Sequence, residues 1–160
     1  MKQLVIFILA AAFCCSCSKD DYINVKFDKE TFIEQRQLWQ ASNTKDYEYH
    51  LLFGGYNIKI IIENGDCKDE GICNFDYSTI DKVYNTIEEI YNFYNGTKKT
   101  DHYFSDRYLF YVTEIFIEYD KINHIPIKIH YLYYVSPGID IHGIFYYEIN
   151  DFEKIYYMEY

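Results

Sequence analysis

Between residues 109 and 149 the chain alternates apolar and polar side chains almost without a break. Three runs, 109–119, 125–135 and 139–149, carry this pattern. Ile115, Ile117 and Tyr119 take odd positions in the first, Ile127, Ile129, Tyr131 and Tyr133 in the second, and Ile141, Phe145, Tyr147 and Ile149 in the third. Even positions hold Glu114, Glu118, Lys128, His130, Asp140, His142 and Glu148. Successive side chains of a strand point to opposite faces, so a period of two means one buried face and one wet face. That pattern belongs to antiparallel sheets. Asp120 to His124 and Ser136-Pro137-Gly138 supply turn chemistry between the runs. The region therefore predicts a three-strand meander, with Asp120 bonding its own turn and Pro126 opening the second strand.

A second alternating pair precedes it. Residues 47–53 and 56–63 flank Gly54-Gly55, and a two-residue glycine connection is a strong hairpin signal because both positions accept positive φ. Tyr47, Tyr49, Leu51 and Phe53 line one strand; Tyr56, Ile58, Ile60 and Ile62 line its partner, which Asn64-Gly65 ends. Helical spacing appears twice. Residues 28–42 predict a helix capped by Asp28, with Phe32, Arg36 and Trp39 near one face and Trp39 as a core residue. Residues 79–94 repeat Ile80, Val83, Tyr84, Ile87, Ile90, Tyr91 and Tyr94 at spacings of three and four. Ser78 followed by Asp81 resembles a capping box, and Asn95-Gly96 supplies the stop. The order α-β-β-α-β-β-β predicts an α+β fold, an antiparallel sheet with two helices packed on one face. Tyr156, Tyr157 and Tyr160 would extend or close the sheet edge.

The first residues concern destination. Lys2 precedes ten apolar residues, Leu4 to Phe13, too few to cross a bilayer of roughly 30 Å hydrocarbon as a helix. Small residues and cysteines follow, then Ser18-Lys19-Asp20-Asp21, in the order of a cleaved export signal. The cysteine cluster resembles the lipobox of bacterial lipoproteins, where a small residue precedes the Cys that receives lipid. Cys17, preceded by Ser16, fits best; Cys15 and then Cys14 fit less well. The alternative is an ordinary signal peptide cut near Ser16 or Ser18. On the lipoprotein reading, residues 1–16 are a signal peptide, 17–27 a lipidated polar tether and 28–160 a single α+β domain. The protein is then exported and held in the bacterial cell envelope, at the outer membrane, by palmitate and related acyl chains on Cys17. More than one chain is needed for stable anchoring.

The formal net charge is −10, and removing residues 1–16 takes away only Lys2. So acidic a chain lacks the basic footprint of a nucleic-acid binder. It is equally unsuited to adhesion on anionic headgroups, so membrane attachment falls to the lipid. In an oxidising compartment Cys67 and Cys73 would form a disulfide closing a short loop; two free thiols are the alternative. The 20 tyrosines fit either a contact-rich surface or an AT-rich coding bias, since Ile, Asn and Lys are abundant beside them.

Trp39, Asp46-Tyr47 opening a strand, the ENG ending at Gly65, the segment TIDKVYNTIEEI and above all EYDKINHIPIKI together resemble a family of uncharacterised bacterial lipoproteins carrying domain of unknown function 6174. The likeness spans about residues 30–152. In the last segment Tyr119-Asp120 followed by Pro126 is similar to the family's tyrosine–aspartate turn. Many members look to carry a Cys pair after the first strand, where this chain has Gly54-Gly55. The resemblance implies an exported lipoprotein domain and brings no activity, cofactor or catalytic residue.

Chemistry is sparsely marked. There is no G-x-S-x-G, H-E-x-x-H, phosphate-binding glycine loop or EF-hand pattern. The acidic run Asp66 to Glu70 reads as a solvated loop. One constellation follows from register. If Tyr119 pairs with Ile125 and Val135 with Ile139, then Glu114 faces His130, and His142 lies diagonal to it. Two His and a carboxylate within roughly 7–8 Å could hold Zn²⁺ with an open position. Ordinary solvent-side polar residues are the plainer reading. No catalytic residue and no cofactor are expected. Three functions compete: a non-catalytic lipid-anchored domain binding another envelope component, a glycan- or peptidoglycan-binding module using exposed Tyr134 and Tyr146, and a metal-assisted hydrolase at Glu114, His130 and His142.

Overall fold

A computed structural model describes residues 21–69, 71–105, 108–136 and 141–155. Cys14, Cys15, Cys17 and the tail tyrosines Tyr156, Tyr157 and Tyr160 lie outside the described residues. The described chain is an α+β domain. Its elements are β1 (Lys26–Phe27), α1 (Lys29–Ser42), β2 (Tyr47–Phe53), β3 (Tyr56–Glu63), β4 (Asp66–Cys67), α2 (Ile80–Tyr94), β5 (Tyr103–Ser105), β6 (Tyr108–Tyr119), β7 (Pro126–Ser136) and β8 (Ile141–Lys154), with a 3₁₀ turn at Lys99–Asp101. They form one sheet in the order β1-β6-β7-β8-β2-β3-β4, with β5 also on β6. Every pairing is antiparallel except β1 with β6.

The hairpin stands where the sequence places it. Phe53 pairs with Tyr56 across Gly54 and Gly55, whose φ values of 55° and 84° are those a tight right-twisting turn requires. Both helices match their expected spans. Asp28 caps α1 by accepting the Thr31 N–H at 3.1 Å, and this bond holds its carboxyl below the usual carboxylate range. Trp39 is buried, edge-on to Tyr47 at 5.4 Å, and donates its indole N–H to Asp81 of α2 at 3.3 Å. Asp120 accepts the N–H groups of Ile122 and Asn123, and buried Pro126 opens β7, as turn chemistry demands.

The strand order departs from the expected α-β-β-α-β-β-β. Three additional strands, β1, β4 and β5, are only two or three residues long, too short to show a period. The third meander strand runs to Lys154, beyond residue 149, because β2 pairs along its far edge from Phe53↔Tyr147 to Tyr47↔Lys154. The hairpin and meander are thus zipped into one sheet through β8. The helices also pack on each other: Phe32 lies 5.5 Å from Tyr84 between ring centroids, and Arg36 pairs with Glu88 at 2.6 Å. The cap of α2 is Thr79, accepting the Lys82 N–H, and not Ser78, which is fully buried and donates to the Cys73 carbonyl.

Residues 22–27 are not a polar tether. Ile23 and Val25 are buried, at 3% and 5% exposure, while Tyr22, Asn24 and Lys26 face outward. That is a period of two, and it places the segment on the fold. Ile23 exchanges backbone bonds with Thr97 and Gly96 at 2.8 Å each, and Val25 N–H donates to the Asn95 side chain at 3.1 Å.

Candidate functional site

The register of the long strands decides what the outer face displays. Phe116 pairs with His130, and His130 with Tyr146. The three rings form a row across β6, β7 and β8, with centroid separations of 5.9 and 6.0 Å. Phe116 and Tyr146 are 49% and 45% exposed, and neighbouring Ile144 is 60% exposed. These residues stand on the even positions that elsewhere carry charge. A pair of cross-strand ions, Lys128 with Glu118 at 3.3 Å, borders the row on one side. Lys26 with Glu114 at 2.6 Å borders it on the other. Such solvent-side ion pairs contribute little to stability. They do leave the aromatic row as the apolar strip of this face.

The same register dismantles the expected metal constellation. Glu114 faces Leu132, not His130, and its carboxylate takes the Lys26 ammonium. His130 faces Tyr146, not Ile144, and His142 faces Tyr134. The first turn closes one position late, Tyr119 on Pro126, and an irregularity between Glu118 and Tyr119 adds a second; the other turn closes two late, with Val135 on Ile141 and not Ile139. A slip of two keeps a side chain on its face but changes its neighbour. A second irregularity, between Val112 and Glu114, does switch faces, and even-numbered Val112 is buried. His142 then stands four positions along β8 from Tyr146, or about 13 Å at strand rise. Among the described residues no group of three His, Cys, Asp or Glu side chains is placed to hold a metal ion.

Of the two tyrosines expected to be exposed, Tyr146 is and Tyr134 is not. Tyr134 packs against the core, 5.2 Å from Tyr111. The sequence reading passed over Phe116 and Ile144, although an apolar side chain on a wet-face position breaks the alternation and marks them.

On the opposite side of the sheet, a cleft of about 210 Å³ opens between the second half of α2 and the strands. Its wall is a stack of three rings. Phe53 lies 4.6 Å from Tyr147 and nearly parallel, and Tyr147 lies 4.0 Å from Tyr77. Tyr77 and Tyr131 share a hydrogen bond between hydroxyls at 3.1 Å. Burial pushes both phenols far above their ordinary range, so they are protonated and serve as hydrogen-bonding groups. The sequence could not show this cleft, because Tyr77 enters it from an irregular segment and Phe53 and Tyr147 meet only through the β2–β8 pairing.

Cys67 and Cys73 are close but unbonded. The Cys73 thiol donates to the Cys67 carbonyl at 3.0 Å. Its interaction with Cys67, with partial burial second, pushes it up to about 11, so it is a thiol at neutral pH. Lys82 bonds the Cys73 carbonyl and the Ser78 hydroxyl, tying this loop to the first turn of α2.

No family model, curated protein or solved structure matches the chain. The likeness to lipoproteins carrying domain of unknown function 6174 rests on its short motifs alone. Among the described residues no helix is long and apolar enough to cross a membrane.

Proposed function

We propose that this chain is a lipid-anchored protein of the bacterial cell envelope, held at the outer membrane through Cys17, whose α+β domain is a non-catalytic binding module. The observation that carries the binding reading is the Phe116–His130–Tyr146 row, an aromatic strip with exposed ends on a sheet face where Glu114, Glu118 and Lys128 flank it. Aromatic side chains give large contact area for little lost entropy. Exposed apolar patches bounded by polar residues mark docking surfaces. The lipobox-like start, the acidic balance and the missing catalytic motifs support the same reading, and so does the family resemblance.

A photo-crosslinking residue at Phe116 or Tyr146 in growing cells tests it. The expected result is a discrete adduct of reproducible mass, absent when the same residue replaces Ile122 in a remote turn. No adduct at either ring position defeats the binding reading. The anchor is tested separately, by palmitate labelling of the wild type and of Cys17→Ala, together with the mass of the mature amino end.

A glycan partner is the second reading, favoured by the exposure of Phe116 and Tyr146, since sugar rings stack on flat aromatic faces. Co-sedimentation with purified peptidoglycan, lost in the Phe116→Ala/Tyr146→Ala double variant, separates it from a protein partner. In the exported protein Cys67 and Cys73 would pair as a disulfide after a small loop adjustment. The loss of two hydrogens from the intact mass, reversed by reductant, reads that directly.

A further inference from the structure

We infer that the end of the domain formed by Tyr22, Phe93 and Lys98 is the face held against the lipid surface. This rests on the proposed lipidation of Cys17 and adds an orientation to it.

Few residues separate the proposed lipid from the fold. The backbone is locked to the fold by residue 22: Tyr22 bridges Lys98, and Ile23 bonds both Gly96 and Thr97 at 2.8 Å. From Cys17 to Tyr22 a fully extended chain reaches roughly 18 Å at most. A domain of this size has a radius of gyration of about 14 Å and so a diameter of roughly 35 Å. The reach is therefore about half the domain. The far half of the domain is therefore kept off the leaflet in which the lipid sits, and the surface around the carboxyl end of α2 lies nearest to it.

That surface has the composition the position requires. Phe93 is 62% exposed on the last turn of α2, and Tyr22, bridged to Lys98 just beyond that turn, is 50% exposed. The Phe93 ring is braced by Tyr94 at 4.9 Å and His102 at 5.1 Å, so it projects as a fixed group. Exposed Lys98 adjoins them. Aromatic rings with a lysine whose stem lies along apolar surface are what settles at a headgroup boundary. Charge does not drive the contact, because Asp21 and Asp101 stand near Lys98 and Lys99. The tether brings the face to the bilayer and the rings enter it.

The opposite end is far away. The strand β6 passes His102, whose carbonyl accepts the Phe110 N–H, and ends at Tyr119, about 30 Å farther along. Ile122, 84% exposed, marks that distal turn. The aromatic row lies between the ends, clear of the lipid.

The full-length lipidated protein, reconstituted in vesicles of phosphatidylethanolamine and phosphatidylglycerol with brominated acyl chains, tests the orientation. Tryptophan is placed singly by Phe93→Trp, Tyr22→Trp or Ile122→Trp, with buried Trp39 as a constant background and circular dichroism as the check on folding. The expected result is a blue shift and bromine quenching at positions 93 and 22, with neither at 122. A long Gly/Ser insertion after Ser18 should weaken the effect at 93 while vesicle binding persists. Vesicle-bound protein with position 93 quenched no more than 122 overturns the orientation and leaves the anchor intact. Protein that carries no palmitate and stays off vesicles overturns both.

Discussion

Raising the pH should unfold this protein abruptly, because its core is built from phenols that cannot ionise in place. Tyr47, Tyr49, Tyr77, Tyr84 and Tyr131 are all at most 8% exposed. Burial is the leading reason that each is raised well above the ordinary value. The sign follows directly. These hydroxyls stay neutral in the folded chain but ionise near pH 10 in the unfolded one, so stability is intact below about pH 10 and falls as pH rises. Each hydroxyl favours the unfolded state by RT ln(1 + 10^(pH − 10)), which is about 1.4 kcal/mol at pH 11 and about 2 kcal/mol at pH 11.5. Five together withdraw about 7 and then about 10 kcal/mol, against a total stability of about 5–15 kcal/mol for a domain. The midpoint is therefore expected between about pH 10.5 and 12. The assay follows tyrosinate absorbance and far-ultraviolet circular dichroism in one titration, and a steep absorbance step should coincide with the loss of dichroism. A smooth ionisation of every phenol through about pH 11 with dichroism unchanged would refute the burial argument. Tyr49→Phe is the internal control. It removes one titrating group and the 2.7 Å bond to the Tyr77 carbonyl, so it should cost about 1 kcal/mol at neutral pH yet flatten the alkaline slope.

Gly143→Ala should cost about 1 kcal/mol in urea unfolding, because its Cβ would fall 1.9 Å from the Tyr133 hydroxyl and swing that ring off Phe145, 4.7 Å away. The penalty should vanish in a Tyr133→Ala background. Phe32→Ala, at 1% exposure and packed between Phe27 and Tyr84, should lose about 3–5 kcal/mol by the same measurement. In the reduced protein, iodoacetamide should alkylate Cys73 slowly at neutral pH and faster as pH approaches 11, and a fast reaction near neutrality would contradict the contact with Cys67.

Much of the architecture was legible because its signals are local. Gly54-Gly55 dictates its turn through backbone freedom at two positions. The 79–94 segment shows its buried face through Ile80, Val83, Tyr84 and Ile87, all fully buried. The alternation of 109–149 fixes which side of each strand is apolar, and nearly every such assignment stands. One exception is Phe145, on the apolar side yet 46% exposed at the mouth of the cleft. The docking of residues 22–27 was missed: Ile23 and Val25 alternate with outward neighbours, but so short a run beside a polar segment reads as linker.

Face and neighbour are different quantities. A side chain's face depends on parity, which a single strand carries in its own residues. Its neighbour depends on how a turn closes and on which strand arrives at the free edge. Those are settled by contacts between segments distant in sequence, such as β8 with β2. By itself the sequence determined an acidic chain of alternating strands and two amphipathic helices, with thiols at 67 and 73. Only the tertiary structure decided that the middle of each strand pair is slipped by two residues, so that His130 sits between Phe116 and Tyr146 while Glu114 turns to Lys26. The reason is physical: a two-residue slip moves no residue between core and water, so burial cannot choose the register, and the packing of the whole sheet does.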